Sequence, residues 1–269
     1  MFKTFSYKGV AVQKLRNVVI VNPSIIWIVN GEKKLSIGNN GFLLKPTDSI
    51  IISANKKIVF ENIPKNGLFY SKQLCFLTKP NAELIRLSRD NAVDEQSRLV
   101  KLDSHFKQIL ELIFQSDSIL KNQDTRRLWV EGIYSTLAEK GLLHLLFPSH
   151  EITFDEKVYD LLESLTPEEH KIDTVCLYLG VSKPTLIRRL KKTGTQFKRI
   201  VKQVRMNKAL HLIQNGVKSL DDIANFCGYQ SVQLFSQYFV EQIGMDPISY
   251  MTSLSCEKEN ISKHTYFND

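Results

Sequence analysis

Twice in its last hundred residues the chain repeats one short design: a helical run, a glycine stop, a small polar cap and a second helical run. Asp173-Thr-Val-Cys-Leu-Tyr-Leu179 ends at Gly180, the residue type best suited to the left-handed stop of a helix. Ser182 then caps a new helix with Pro184 at its second position and Leu186 and Leu190 as the inward stripe. Leu220 to Cys227 is followed in the same way by Gly228-Tyr229, and Ser231 caps a helix whose inward residues include Phe235 and Phe239. Asp221 and Asp222 fall in a first turn, where the helix dipole favours them. Helix, tight turn and second helix make a helix-turn-helix, whose second helix enters the DNA major groove. Between the two units Phe197–Ile213 contains neither Pro nor Gly, so it reads as one long helix holding the recognition helices roughly one DNA turn (~34 Å) apart.

Charge supports that reading when it is divided along the chain. The 269 residues carry a net +8, but residues 1–90 hold 14 basic and 5 acidic side chains, 91–170 hold 8 and 15, and 171–269 hold 14 and 8. Between Asp173 and Asp221 there is no acidic residue, while eleven Lys and Arg fall inside the stretch. A run this one-sided repels itself unless a polyanion neutralises it; a solvated basic helix face is the bland alternative.

The segment resembles the DNA-binding domain of the AraC/XylS transcription regulators. The resemblance rests on Leu179-Gly-Val-Ser182, Leu186-Ile-Arg-Arg-Leu190, Gly194-Thr-Gln-Phe197, Arg205-Met-Asn-Lys-Ala209, Leu212-Ile213, Ile223-Ala224, Cys227-Gly-Tyr-Gln-Ser231, Phe235, Phe239, Gly244, Pro247 and Tyr250, and covers about 80 residues. Cys176, His170 and Met251 depart from a usual alanine, tryptophan and arginine. The resemblance implies base-reading positions at Lys183, Pro184, Ile187 and Arg188 in the first recognition helix, and at Gln230, Val232, Gln233, Ser236 and Gln237 in the second. Arg188 suits a bidentate guanine contact, Ile187 a thymine methyl, and Gln233 or Gln237 an adenine. Lys191, Lys192, Arg199 and Lys202 are the candidate phosphate contacts, whereas Arg205 reads as an internal structural partner. The second recognition helix has no Lys or Arg, so the first module is expected to dominate affinity.

The first ninety residues have a different texture. Short runs rich in β-branched and aromatic residues (18–21, 25–29, 34–37, 41–45, 49–53, 57–60 and 68–77) are separated by turn signals, the pattern of a small barrel or sandwich. Asn30-Gly31 between two apolar runs is a hairpin signal. From about Pro80 the period turns helical: Leu84, Leu87, Leu99, Leu102, Phe106, Ile109, Leu110 and Ile113 recur at three- and four-residue spacing. A further helix is expected from Asp124, as its N-cap, to Leu146, with Pro148 stopping it and Trp129, Ile133, Leu137, Gly141 and Leu145 on one side. That side suits a homodimer seam through 124–146 or simple core packing.

The expected fold class is therefore α+β. An N-terminal small β-barrel, cupin-like by the resemblance, spans 1–90, and a helical segment spans 91–150. An all-α domain at 151–269, with its core at 171–250, carries two helix-turn-helix modules joined by a long helix. Residues 1–100 contain no histidine and the six histidines are scattered, which speaks against a metal site, and no catalytic or cofactor motif is present. The chain is thus read as a regulator and not an enzyme, with no cofactor. Four dispersed cysteines, no apolar run long enough to span a bilayer and no signal-peptide pattern point to a cytoplasmic protein with reduced thiols and no membrane partner.

The stretch from Ile25-Ile-Trp-Ile-Val-Asn-Gly31 to Ile50-Ile-Ile52 resembles the barrels of virulence-type regulators, which implies sensing of a fatty-acid-like effector held between lysines of the two domains. Lys33, Lys34 and Lys45 of the barrel and Lys218 of the DNA domain are the candidates, with solvated surface lysines as the alternative. The expected function is sequence-specific binding of double-stranded DNA as an activator, with RNA polymerase as the partner the family implies. A repressor or silencer-antagonist of the same family is the first rival, and a sensing or enzymatic barrel with a vestigial DNA domain the second.

Overall fold

A computed structural model describes residues 1–92, 98–148 and 152–254. Cys256, His150 and His264 lie outside the described residues. The chain opens with eight strands: β1 Phe2–Gly9, β2 Gln13–Ile20, β3 Ser24–Asn30, β4 Glu32–Ile37, β5 Asn40–Leu44, β6 Asp48–Ile52, β7 Lys56–Ile63 and β8 Phe69–Phe76. Helix α1 (Ala82–Asp90) precedes a short strand β9 (Leu99–Lys101), then α2 (Ser104–Ile119), α3 (Gln123–Glu139) and α4 (Leu143–Leu146). Seven helices complete it: α5 Phe154–Ser164, α6 Ile172–Leu179, α7 Lys183–Lys192, α8 Phe197–Gln214, α9 Leu220–Phe226, α10 Val232–Ile243 and α11 Pro247–Ser253, with a 3-10 turn at Pro167–Glu169.

The strands form two antiparallel sheets, ordered β1-β8-β3-β6-β9 and β2-β7-β4-β5. Their facing sides share a core of Ile26, Ile28, Ile50, Ile52 and Phe69 from the first sheet with Ile20, Leu35, Leu44 and Ile58 from the second. Because side chains alternate along a strand, Ile25, Trp27, Ile51 and Leu74 point out of the first sheet. They meet Phe106, Leu110, Ile113, Val130, Ile133 and Tyr134 of α2 and α3. The run Ser24–Ile28 is buried on both faces for this reason.

Several sequence expectations change. Asn30-Gly31 is not a hairpin: β3 and β4 belong to different sheets, and the turn carries the chain from one to the other. Gly31 adopts φ 84°, a Cβ there would stand 2.5 Å from the Ile63 carbonyl oxygen, and the Asn30 amide donates to the Lys65 and Leu68 carbonyls. The tight hairpin falls instead at Gly38-Asn39, between paired β4 and β5. Leu99 is not helical but pairs with Ile50 at the edge of the first sheet, so the barrel takes a strand from beyond residue 90.

The helix expected from Asp124 to Leu146 is two helices. Asn122 is its N-cap, accepting from the Thr125 N–H at 2.9 Å, and Gly141 at φ 67° ends the first piece, lying so close to Asn91 that a Cβ would stand 2.5 Å from its carbonyl oxygen. Of the two readings of its apolar side, core packing is the one the structure shows: Val130, Ile133, Tyr134, Leu137 and Ala138 are all buried against the barrel and its helices. A strand absent from the sequence reading, β1, pairs with β8 along its whole length.

The C-terminal half has two small cores, one per module. Val158, Leu162, Val175, Leu186, Leu190, Ile200 and Val204 fill the first, and Met206, Ala209, Leu210, Ile223, Phe235, Phe239 and Tyr250 the second. Strand β2 serves both, since Val19 packs into the first and Leu15 into the second. Its exposed edge is closed by the C-terminal half. Asn207 on α8 accepts from the Val19 N–H at 3.2 Å and donates to the Val19 carbonyl at 2.8 Å, like an added strand. A bulge between Leu15 and Val18 puts Asn17 at φ 55° and aims Arg16 and Asn17 at the carbonyls of Glu241 and Gln242, at 3.1 and 2.9 Å.

Candidate functional site

Both helix-turn-helix units form as their cap residues dictate. Gly180 ends α6 in the left-handed conformation, with the Val181 N–H returning to the Cys176 carbonyl, and Ser182 accepts from the Thr185 N–H to start α7. On α7 the buried Leu186 and Leu190 leave Lys183, Pro184, Ile187 and Arg188 together on the exposed side, with Lys191 and Lys192 following. Ile187 is 54% exposed, a large apolar side chain on the open side of the helix. Lys183 lies 3.1 Å from Asp173, an exposed pair that contributes little and is easily surrendered. In the second module Ser219 and Ser231 cap α9 and α10. Gln230, Gln233 and Gln237 are exposed, whereas Val232 and Ser236 are half-buried.

Not every expected phosphate contact is free. Lys191, Lys192 and Arg199 are exposed. Lys202 instead ties α8 to α10, with its ammonium 3.5 Å from Glu241 and 3.9 Å from the centre of the Tyr238 ring. Arg205 is internal, as expected: its guanidinium donates to the carbonyls of Gly228 (2.7 Å) and Pro167 (2.8 Å) and approaches His170 Nδ1 at 3.4 Å. The close fit requires Gly228, at φ 76°, where a Cβ would stand 2.6 Å from Pro167 Cβ. Burial first, and Arg205 after it, push the His170 imidazole below its ordinary range. Between α7, α8 and α10 lies an open cleft of about 1040 Å³ whose walls include Lys183, Lys191, Lys198 and Lys202.

A second cavity, of about 470 Å³, lies between the barrel and the C-terminal half. The barrel contributes Lys3, Tyr7, Gln13, Lys33 and Asn62, and α5, α8 and α11 contribute Tyr159, Glu163, Lys208, His211 and Tyr250. Of the four lysines proposed as effector clamps only Lys33 lines it. Lys33 alternates inward with Leu35 along β4, while Lys34 faces out beside Glu61 at 3.8 Å, and Lys45 and Lys218 are exposed away from the cavity. Sequence reasoning missed Lys3, Lys208 and His211; the Lys33/Leu35 parity was the readable signal for Lys33.

Lys33 is 5% exposed. Its ammonium donates to Asn62 Oδ1 at 2.7 Å and sits 3.6 Å from the centre of the Phe60 ring. Burial alone pushes its pKa down to about 7. A buried amine with only neutral partners is a strong attractor for an anionic head group, because the pair would repay a desolvation already spent. Glu163, across the cavity, is pushed upward by burial and then by Asp160. Among the described residues no group of three or more His, Cys, Asp or Glu could hold a metal ion, and no helix is long and apolar enough to cross a membrane.

Residues 175–253 match the family model described as a helix-turn-helix domain. Over 259 residues the chain is 24% identical to the HTH-type transcriptional activator FapR of Escherichia coli, covering 92% of this chain and 98% of that protein. It is 22% identical over 238 residues to the HTH-type transcriptional regulator AdiY of Escherichia coli K12, covering 87% and 93%. Among solved structures, ToxT from Vibrio cholerae with a bound unsaturated fatty acid has the same fold, with a TM-score of 0.66 at 18% identity over 94% of this chain and 96% of that one.

Proposed function

We infer that this chain, an AraC-type helix-turn-helix transcription regulator, activates transcription by placing α7 and α10 in two successive major grooves of double-stranded DNA and answers to an anionic amphiphile in the cavity between its halves. The observation that carries the DNA reading is the pairing of two capped recognition helices on one rigid spacer, α8, whose 18 residues span about 27 Å. Lys183, Pro184, Ile187 and Arg188 serve the first groove, Gln230, Val232, Gln233, Ser236 and Gln237 the second, and Lys191, Lys192 and Arg199 the phosphates. Activation, with RNA polymerase as the partner, is supported by the activators among the relatives. Such a protein works in the cytoplasm, where the DNA is. With the α3 face packed inside the chain, one copy presents both modules without a dimer.

The ligand reading is supported by Lys33 in its cavity and by the fatty-acid-bound structure of the same fold. Genome-wide mapping of bound sites, followed by titration of one site from 50 to 200 mM salt, tests the DNA reading. Neutralising about six phosphates loses roughly 10³ in affinity over that range, and a salt-independent affinity refutes it. Calorimetric titration with sodium oleate tests the ligand reading. Binding that weakens at least ten-fold in Lys33→Met supports it, and equal binding by both proteins refutes it.

A further inference from the structure

The cavity is joined to the last helix of the DNA-binding half by an unbroken series of buried hydrogen bonds. Lys33 Nζ donates to Asn62 Oδ1 at 2.7 Å, Asn62 Nδ2 donates to Gln13 Oε1 at 2.8 Å, and Gln13 Nε2 donates to Ser253 Oγ at 3.0 Å. Ser253 Oγ closes the series by donating to the Tyr250 carbonyl at 2.6 Å. All four side chains are buried, and their donors all point the same way. Each amide therefore accepts from its upstream neighbour and gives to its downstream one, an arrangement in which the bonds polarise one another.

The surroundings are shaped to keep the series intact. Gly9 leaves the room Gln13 needs: a Cβ there would stand 2.9 Å from Gln13 Nε2. One residue on, the Val10 N–H donates to the Ser253 carbonyl at 2.9 Å, so the β1–β2 turn grips the backbone of α11 beside the side-chain contact. Helix α11 in turn packs Tyr250 against Phe239 of the second recognition helix, with ring centres 6.3 Å apart.

We propose that Lys33, Asn62, Gln13 and Ser253 form a relay through which the head group of a cavity occupant resets α11 and, through Tyr250, the second recognition helix. The inference rests on the anionic-amphiphile reading of the cavity. An anion that draws the ammonium away from Asn62 leaves the amide oxygen without its donor in a buried place. That vacancy costs enough to favour a rearrangement of Asn62, Gln13 and the serine together.

The first arm of the test needs no ligand. Amide hydrogen exchange over residues 247–254 is measured in the full chain for the wild type, Lys33→Met, Ser253→Ala and the double variant. The relay predicts that each single change speeds exchange there roughly five-fold and that the double variant is no faster than either, because one series has been cut twice. Unchanged exchange in Lys33→Met, or effects that simply multiply, overturns it. Gly9→Ala, which crowds Gln13 without removing a polar group, gives the same quickening if the relay holds and guards against an unstable Ser253 variant. In the second arm, sodium oleate is titrated into wild type and Ser253→Ala while DNA affinity is followed. Oleate binding within two-fold of wild type, with its effect on DNA affinity lost, supports the relay, and a retained effect refutes it. Oleate that binds neither protein sinks the cavity reading, while the exchange arm still decides whether Lys33 and α11 are coupled.

Discussion

Replacing Lys33 by methionine should change how stability depends on pH, in a direction that follows from the site. The ordinary lysine value of 10.5 falls to about 7 on folding because burial disfavours the charge. Above pH 7 the native amine is neutral while the unfolded one stays charged up to 10.5, so unfolding takes up a proton. Stability must then rise with pH across that window and lose its dependence on this group below it, where the full cost of a buried charge applies. One proton sets a slope of at most about 1.4 kcal/mol per pH unit, or about 2 kcal/mol between pH 7 and 9. The Met variant leaves Asn62 Oδ1 without its donor, a penalty of about 1–3 kcal/mol that is the same at every pH. The decisive quantity is therefore the difference between the two curves. Urea unfolding followed by far-ultraviolet circular dichroism at pH 7, 8 and 9 measures it. The wild type should gain about 2 kcal/mol on the variant over that range, and parallel curves would refute a buried, depressed amine at this position.

Arg188→Ala should cost about 1–3 kcal/mol at one base pair and relax preference there, as read by competition among single-base site variants; equal loss on all sequences makes it a phosphate contact. Gly228→Ala, at φ 76° against Pro167, should lower stability by about 1–3 kcal/mol in a thermal melt, since neither backbone nor ring can yield cheaply. Asn207→Leu removes both bonds to Val19, so limited proteolysis should separate the barrel from the DNA-binding half faster than in the wild type.

How much was legible in the sequence depended on whether the cause was local. Gly180, Ser182, Ser219, Ser231 and Gly244 act within a turn of themselves, and both modules appear where those residues put them. Asn30-Gly31 misled because the dipeptide specifies a reversal of the chain but not which sheet the next strand joins. Leu99 fell on a helical period shared with Leu102 and Phe106, yet three residues beside an open sheet edge gain more by pairing with Ile50. Strand β1 was hidden behind Lys3, Ser6 and Lys8, although the Phe2 and Gly9 ends pair cleanly with Phe76 and Phe69. Of the cavity only Lys33 was legible, through its parity with Leu35, since Tyr7, Lys33 and His211 share its wall only after the two halves dock.

The lopsided charge of the two recognition helices bears on how the protein finds its sites. Helix α7 carries Lys183, Arg188, Arg189, Lys191 and Lys192, while α10 has no Lys or Arg and holds Glu241 in its last turn, where Lys202 approaches its carboxylate and Arg16 of the barrel its carbonyl. Non-specific attraction to a polyanion is thus concentrated in one module, which can slide along a duplex on phosphate contacts while the other rides alongside uncommitted. With Gln230, Gln233 and Gln237 reading bases as proposed, α10 would seat only where the bases suit them. Rising salt then shortens each sliding excursion but takes little from that second engagement, so discrimination between target and bulk genome sharpens as total affinity falls.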